Sequence, residues 1–275
     1  MNRLVSVGSA VVLGGIAVLV SAPAEAGAWM RSGGEYRYSA GLSHSRADQY
    51  YDADEVRQDA GCTANDLYLD QDLEYGHSYY HTLFGKFSAA RKSCGGETST
   101  EGGDLELGIR GRLNPLRNGR TWEASLLIPT EDSTSDPARL GVGSYGLQLG
   151  LHGRFAAGGS VLRQRHLSTG AEVRLWEGDP SDRLRTYIDY SWPLYTLEMK
   201  VGVNGDFSLR NGSGESDWDT QRRPTDDYER VNVGGSIRKS YGEWSVQYRI
   251  SHVVWGWNTD ASTTVGVSIS RSWME

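Results

Sequence analysis

The segment Tyr195–Phe207 alternates between apolar and polar residues, and this period of two constrains the fold of the whole chain. One face carries apolar side chains and a glycine: Tyr195, Leu197, Met199, Val201, Val203, Gly205 and Phe207. The other face is polar and carries both signs of charge. Successive side chains of a β-strand point to opposite faces, so this period predicts a strand. About ten such residues, tilted, cross the hydrocarbon core of a bilayer.

The same alternation recurs along the chain and predicts an all-β fold. An open sheet edge cannot exist in a bilayer, so an apolar face toward lipid requires a closed sheet. We therefore predict a single transmembrane antiparallel up-and-down β-barrel of about 12 strands. Long polar links, which begin with Ala47–Asn65 and Ala90–Gly103, follow odd-numbered strands, and mostly short turns, Pro193–Leu194 among them, follow even ones. This asymmetry is typical of extracellular loops and periplasmic turns, and it puts both termini on the periplasmic side.

A soluble all-β sandwich or a periplasmic barrel is the alternative. The mean hydropathy of −0.51 fits a soluble protein, but transmembrane barrels give the same result because only alternate residues are apolar. A sandwich would need each apolar face to pack against a second sheet, usually with shorter strands.

Residues 1–26 read as a secretory signal peptide. A single early positive charge, at Arg3, precedes an apolar run that ends in the cleavage box Ala24-Glu25-Ala26. Residues 27–275 would then form the outer-membrane barrel, with Gly27 as the new N-terminus. A membrane-anchoring helix is the alternative, although the run is short and rich in glycine and serine.

Charge and cysteine usage limit the partners. A net charge of −7 argues against a nucleic-acid partner. The two cysteines, Cys62 and Cys94, lie in segments that read as outer loops. In an exported protein they favour a disulfide over two free thiols. We find no metal-ligand spacing around either cysteine and expect no metal and no cofactor.

The outward face is predicted from the same alternation. It carries Leu107 and Ile109 on the fourth strand and Leu147, Leu149 and Leu151 on the sixth. Four tryptophans near strand ends would form an interfacial aromatic girdle: Trp122, Trp192, Trp244 and Trp273.

The inward face is predicted to be densely charged, and its charged residues are the candidates for lining the lumen. Many of them would pair with one another, because an unpaired charge away from bulk water is costly. The functional interpretation is a wet passage whose field acts on a solute. The candidates are Asp70, Asp72, Glu74, Lys86, Glu106, Arg110, Arg112, Arg154, Glu172, Arg174, Arg185, Asp189, Glu198, Lys200, Arg230, Arg238 and Arg249.

Motifs of catalysis are missing from the sequence. It contains no Gly-x-Ser-x-Gly elbow, no His-Glu-x-x-His and no phosphate loop. His152 falls on the inward face, where a hydrogen-bonded histidine of the lumen is the favoured interpretation over a catalytic one. We therefore predict no enzymatic activity and no catalytic residue.

Four stretches resemble a known family of outer-membrane barrels. They are Gly27–Ser39, Ser45–Asp52, Gly103–Leu113 with its Gly-Asp-Leu-Glu-Leu-Gly strand, and Leu140–Leu149 with Leu-Gly-Val-Gly-Ser-Tyr. They are similar to the barrels labelled as transporters of the meta-pathway of phenol degradation. The resemblance covers the N-terminal half and extends to the C-terminal half by pattern alone. It implies an outer-membrane passage for small, often aromatic, molecules.

The C-terminus departs from the usual pattern. Most outer-membrane barrels end on Phe, whereas Trp273 here precedes two further residues and Arg271 occupies an outward position. An outward Arg near the interface costs only about 0–1 kcal/mol, so the last strand remains predicted.

The predicted function is an outer-membrane channel or facilitator for the passive passage of a small solute, aromatic molecules included. Its partners would be that solute, outer-membrane lipid and lipopolysaccharide. Two alternatives remain open: a structural or envelope-interaction barrel whose lumen is closed by salt bridges, and a polysaccharide export pore.

Overall fold

All strands of the described residues belong to one antiparallel sheet. The structure, a computed structural model, describes residues 30–113, 119–130, 143–158, 164–178, 181–209 and 228–275. The predicted signal peptide lies outside these residues. Within them no helix is long and apolar enough to cross a membrane.

The strands follow the alternation of the sequence. They are β1 (Glu35–Tyr51), β2 (Arg57–Gly76), β3 (His81–Cys94), β4 (Glu97–Gly102), β5 (Leu105–Arg112), β6 (Arg120–Ile128), β7 (Gly146–Ala156), β8 (His166–Trp176), β9 (Arg183–Leu194), β10 (Leu197–Ser208), β11 (Glu229–Tyr241), β12 (Trp244–Trp257), β13 (Thr259–Asp260) and β14 (Thr263–Met274).

The sheet closes on itself through β1, which pairs with β14 on one side and with β2 on the other. Besides the short strands β4 and β13, which pair with the ends of β3 and β1, twelve strands form the ring. The prediction of a twelve-stranded barrel is confirmed, and a sandwich is wrong because no second sheet covers the apolar face. Glu35 opposes Met274, so the start of β1 and the end of β14 lie at the same end of the barrel. This end is called periplasmic and the opposite end outer, after the orientation expected from the loop lengths.

The outer surface is an apolar band. Leu126, Leu149, Leu151 and Ile250 are each about half exposed, although each lies within a strand. In water such a band would be a large aggregation liability, whereas against lipid it is the expected surface. The protein is thus a transmembrane barrel of the type found in the bacterial outer membrane.

Aromatic rings collect at the periplasmic rim of this band. Tyr36 at the start of β1 stacks on Trp273 near the end of β14 with ring centroids 5.6 Å apart, and it contacts Tyr75 at 4.7 Å. The outward Arg271 binds Glu243, in the turn between β11 and β12, at 3.0 Å and lies over the ring of Trp244. The charge that seemed out of place in the last strand is therefore paired at the membrane edge.

Two parts of the sequence prediction are wrong. Ala47–Asn65 and Ala90–Gly103 are mostly strand rather than loop, because β1 to β4 continue past the membrane as paired hairpins. Tyr195 lies in the turn before β10 with a φ of 56° and 93% exposure, so the turn is Tyr195–Thr196 and not Pro193–Leu194. Leu194 and Leu197 pair across that turn, which extends β9 by two residues beyond the predicted end.

The predicted disulfide is confirmed. Cys62 on β2 and Cys94 at the end of β3 are bonded, with Cα atoms 5.9 Å apart. The bond joins neighbouring strands of the extended hairpins, on the outer side of the membrane.

Candidate functional site: the barrel lumen

The lumen contains a cavity of about 530 Å³ lined almost wholly by polar and charged side chains. Alternate residues of each strand point inward, so one alternation supplies both the lipid face and this lining. The lining residues are Arg37, Glu74, Lys86, Arg110, Glu123, His152, Arg154, Ser168, Glu172, Tyr187, Asp189, Ser191, Glu198, Lys200, Asn204, Ser236, Arg238 and Gln247.

About half of the lumen-lining candidates line this cavity. These are Glu74, Lys86, Arg110, Arg154, Glu172, Asp189, Glu198, Lys200 and Arg238. The others lie outside it, in the wall or toward either end: Asp70, Asp72, Glu106, Arg112, Arg174, Arg185, Arg230 and Arg249. At the periplasmic end, for example, the guanidinium of Arg112 lies 3.9 Å from the ring centre of Tyr79.

A chain of ion pairs runs along one wall of the cavity. The guanidinium of Arg110 contacts the carboxylate of Glu123 at 2.7 Å and that of Glu74 at 3.3 Å. The side chains of Glu123 and Arg110 are only 2% and 12% exposed. Because the two carboxylates share one guanidinium, each buried charge has an opposite charge beside it. This pairing offsets the free-energy cost of burying the charges. This part of the wall is therefore a structural cross-link between β2, β5 and β6.

The same wall continues toward the outer end through Glu106. The carboxylate of Glu106 contacts the ammonium of Lys86 at 3.1 Å and accepts a hydrogen bond from the hydroxyl of Ser125 at 3.0 Å. Gln148, which is almost fully buried, donates to both Glu106 and Glu123, and its own carbonyl accepts from Arg174 at 2.5 Å. Every polar group named here has a partner, as expected of an ordered polar network.

Looser ion pairs form the opposite wall. Lys200 contacts Asp189 at 3.1 Å, with side chains 42% and 22% exposed. Arg238 contacts Glu198 at 3.8 Å. Pairs this accessible contribute about 0–1 kcal/mol each, so their side chains can exchange partners at little cost.

Three arginines surround one carboxylate just beyond the outer end of the cavity. Arg183, Arg185 and Arg230 lie 3.7, 3.5 and 3.8 Å from the same oxygen of Asp206. The hydroxyl of Tyr228 donates to that oxygen at 3.2 Å. This group therefore places three positive charges around one negative charge at that end of the cavity.

Two glycines shape the middle of the lumen wall. A Cβ on Gly170 would lie 2.3 Å from Tyr187 and 2.6 Å from Nδ1 of His152, and a Cβ on Gly150 would lie 2.9 Å from Nε2 of His152. Their missing side chains let the imidazole and the phenol lie flat on β7 and β8. Nδ1 of His152 and the hydroxyl of Tyr187 are 3.1 Å apart.

The segment before β1 folds back onto the periplasmic end. The backbone N–H of Arg31 donates to the hydroxyl of Thr82 at 2.9 Å, and its guanidinium donates to Glu74 at 2.6 Å. Met30 is buried. A Cβ on Gly76 would overlap the carbonyl of Ser32, so the close approach of this segment needs glycine there. Arg31 thereby joins the ion-pair chain of the wall from outside the barrel strands.

Sequence analysis missed several residues of the site. Glu123 and Gln148 were not among its candidates, although the alternation that places Trp122 and Leu147 outward places both of them inward. Arg37 was missed in the same way. Arg31 gave no signal of this kind, because it precedes the first strand and no periodicity covers it.

Known proteins share the fold of this chain at low sequence identity. Comparison with protein-family models and with curated proteins gives no match. A solved structure, the COG4313 outer membrane channel from Pseudomonas putida F1, superposes with a TM-score of 0.70 at 14% identity, over 90% of this chain and 98% of that one. The CymD monoaromatic hydrocarbon channel superposes with a TM-score of 0.52 at 8% identity, over 89% and 90% of the two chains.

Proposed function

We propose that the protein is an outer-membrane channel for the passive passage of a small polar solute. The observation that carries this proposal is the cavity, whose described lining residues are polar or charged and include side chains of both signs. A cavity of about 530 Å³ has the size of pockets that hold small molecules. The two solved channels with the same fold support a channel role and leave the solute open.

The lining favours a charged or hydrogen-bonding solute over a hydrocarbon. Among the described residues that line it, Tyr187 and His152 are the aromatic side chains, and none is aliphatic. The charged lining must stay hydrated, so a hydrocarbon gains little free energy by moving into it from water. An ionic group of a solute can instead replace one partner in the accessible Lys200–Asp189 ion pair. Among aromatic molecules, an acid or an amine would fit better than an unsubstituted ring.

The experiment is ion conductance and solute uptake by the purified mature barrel in lipid bilayers. We expect conductance in planar bilayers, and faster swelling of proteoliposomes in small charged or zwitterionic solutes than in larger sugars. The variant Lys200→Glu should shift the reversal potential in a salt gradient toward cation preference, because it replaces a cation of the lining. The matched control is Lys239→Glu, the same charge change at a residue of β11 that does not line the cavity.

A barrel closed by salt bridges is the second candidate, and the Glu74–Arg110–Glu123 chain favours it. A folded protein that stays electrically silent and swells no liposomes would establish this closed form and end the channel proposal. Equal shifts in the Lys200→Glu and Lys239→Glu variants would show that the cavity is not on the conducting path.

A further inference from the structure

We propose that Glu123, His152 and Glu172 form a binding site for a divalent transition-metal ion in the barrel lumen. One potential ligand atom from each residue lies within 4.8 Å of the other two. The three residues come from consecutive strands, β6, β7 and β8, so their convergence depends on register and not on any sequence spacing. This is why the search for metal motifs around the cysteines gave no signal for it.

The carboxylate of Glu172 faces the cavity. Its side chain lines the cavity, and in the described part of the chain it makes no hydrogen bond and no ion pair. Arg185 stands opposite it in the strand register, but that guanidinium turns to Asp206 at 3.5 Å. A carboxylate in this position attracts a cation, and the protein supplies none within contact distance among the described residues.

His152 is oriented to supply the second ligand. Its Nε2 lies 4.0 Å from the carboxylate of Glu123, and its Nδ1 lies 3.1 Å from the hydroxyl of Tyr187. In the tautomer whose Nδ1–H donates to that oxygen, Nε2 carries the lone pair and points into the cluster. Metal-binding histidines are commonly fixed in this way through their other nitrogen.

The wall is built to leave this space open. The imidazole of His152 fits here because Gly150 and Gly170 have no side chains. A Cβ on Gly150 would also come within 3.2 Å of the Cγ of Glu172. The ligands of a tetrahedral ion with bonds of about 2.0–2.2 Å are separated by about 3.3–3.6 Å. The ligand atoms, up to 4.8 Å apart, must therefore close by up to about 1.5 Å. The Glu172 side chain can rotate toward the others because it borders the cavity.

Neighbouring cations limit which ion fits. Arg110 holds Glu123 at 2.7 Å and would remain there, so Glu123 serves as a third, shared ligand. Lys86 lies 3.6 Å from Glu123 but 3.1 Å from Glu106, so it keeps its closer partner when a metal takes its place beside Glu123. One imidazole with two carboxylates suits Zn²⁺ better than Mg²⁺, which prefers oxygen ligands alone and retains its water.

The experiment is isothermal titration of ZnCl₂ into untagged mature protein folded in a neutral detergent. Binding is measured without a membrane potential or a solute, so its outcome is independent of whether the barrel conducts. We expect one saturable Zn²⁺ site per chain, at least tenfold weaker in Glu172→Gln and in His152→Ala. Tyr187→Phe, which removes the partner of Nδ1, should weaken it about tenfold. Asp189→Asn is the control, because it removes a nearby carboxylate of the cavity that pairs with Lys200 instead.

Three results would overturn the proposal. The first is the absence of saturable Zn²⁺ binding in the parent protein, and the second is an unchanged affinity in Glu172→Gln. The third is an equal affinity for Mg²⁺, which would mean that the lumen attracts cations through charge alone. Circular dichroism of each variant checks the sheet content, and Glu172→Gln keeps the test valid if the buried His152→Ala fails to fold.

Discussion

The guanidinium of Arg249 on β12 binds the carboxylate of Asp70 on β2 at 2.9 Å, although β14 and β1 lie between these two strands. The side chain crosses the inner face of both strands and donates to the hydroxyl of Ser43 at 3.1 Å on the way. The arginine side chain can lie this close to the sheet because the residue under it on β14, Gly266, has no side chain. The pair therefore bridges the seam at which the two ends of the chain close the barrel.

The first prediction concerns the glycine under that bridge. A Cβ on Gly266 would lie 2.8 Å from the Cβ of Ser43 and 2.9 Å from the Nε of Arg249, so Gly266→Ala must displace the arginine. We expect a loss of about 1–3 kcal/mol in the free energy of unfolding from this overpacking. Gly41→Ala is the control, since its nearest neighbour would be 3.4 Å away. Equal urea midpoints for the two variants would contradict the prediction.

The second prediction compares a buried and an exposed carboxylate. Glu123→Gln removes a negative charge that pairs with Arg110, at a side chain that is only 2% exposed. We expect it to lower the free energy of unfolding by about 3 kcal/mol. Asp70→Asn removes a partner from a pair whose side chains are 46% and 48% exposed, and we expect less than about 1 kcal/mol. Tryptophan fluorescence during urea unfolding in detergent measures both. The order of the two costs, rather than their size, decides the outcome.

The third prediction concerns the disulfide. Replacing both Cys62 and Cys94 by serine should leave the membrane part of the barrel intact, because the strands remain paired from Asn65 and Ser93 inward. The outer hairpins should open more often, with a local cost of about 2–4 kcal/mol. Hydrogen exchange should quicken at residues 57–64 and stay unchanged at residues 66–75. A barrel that no longer assembles would show that the bond is needed for folding itself.

The fourth prediction concerns pH at the tip of the first hairpin. Asp52 accepts hydrogen bonds from Gln58 at 3.0 Å and from the backbone N–H groups of Asp54 and Val56 at 2.9 Å each, and these bonds lower the pKa of its carboxyl. A lowered pKa in the folded state stabilises the turn fully above the ordinary value of 3.8. That contribution is lost as the pH falls through the lowered pKa.

Hydrogen exchange at residues 54–58 measures this effect. After correction for the intrinsic pH dependence of exchange, protection should be constant from pH 7 to about pH 5 and fall below pH 4. Asp52→Asn should show weaker protection with no such fall. A fall of equal size in the variant would assign the pH dependence to another group.

The alternation of side chains made the barrel predictable, and the same rule made the inward face predictable residue by residue. It could not give the partners within the lumen. Arg249 reaches Asp70 across two strands because the wall curves and Gly266 is small, and neither fact is contained in a period of two. The convergence of Glu123, His152 and Glu172 likewise depends on the stagger between three strands. Tyr195 escaped prediction because its aromatic side chain fits the apolar series while its backbone adopts the left-handed region.

The pairing of Glu35 with Met274 also governs biogenesis. One edge of β1, the first strand to be synthesised, has no hydrogen-bonding partner until β14, the last strand, is in place. A chain that stops before Thr263 would present two rows of bare amides and carbonyls to hydrocarbon, at several kcal/mol for each such group. We therefore expect truncated chains to insert poorly, because their sheet cannot close.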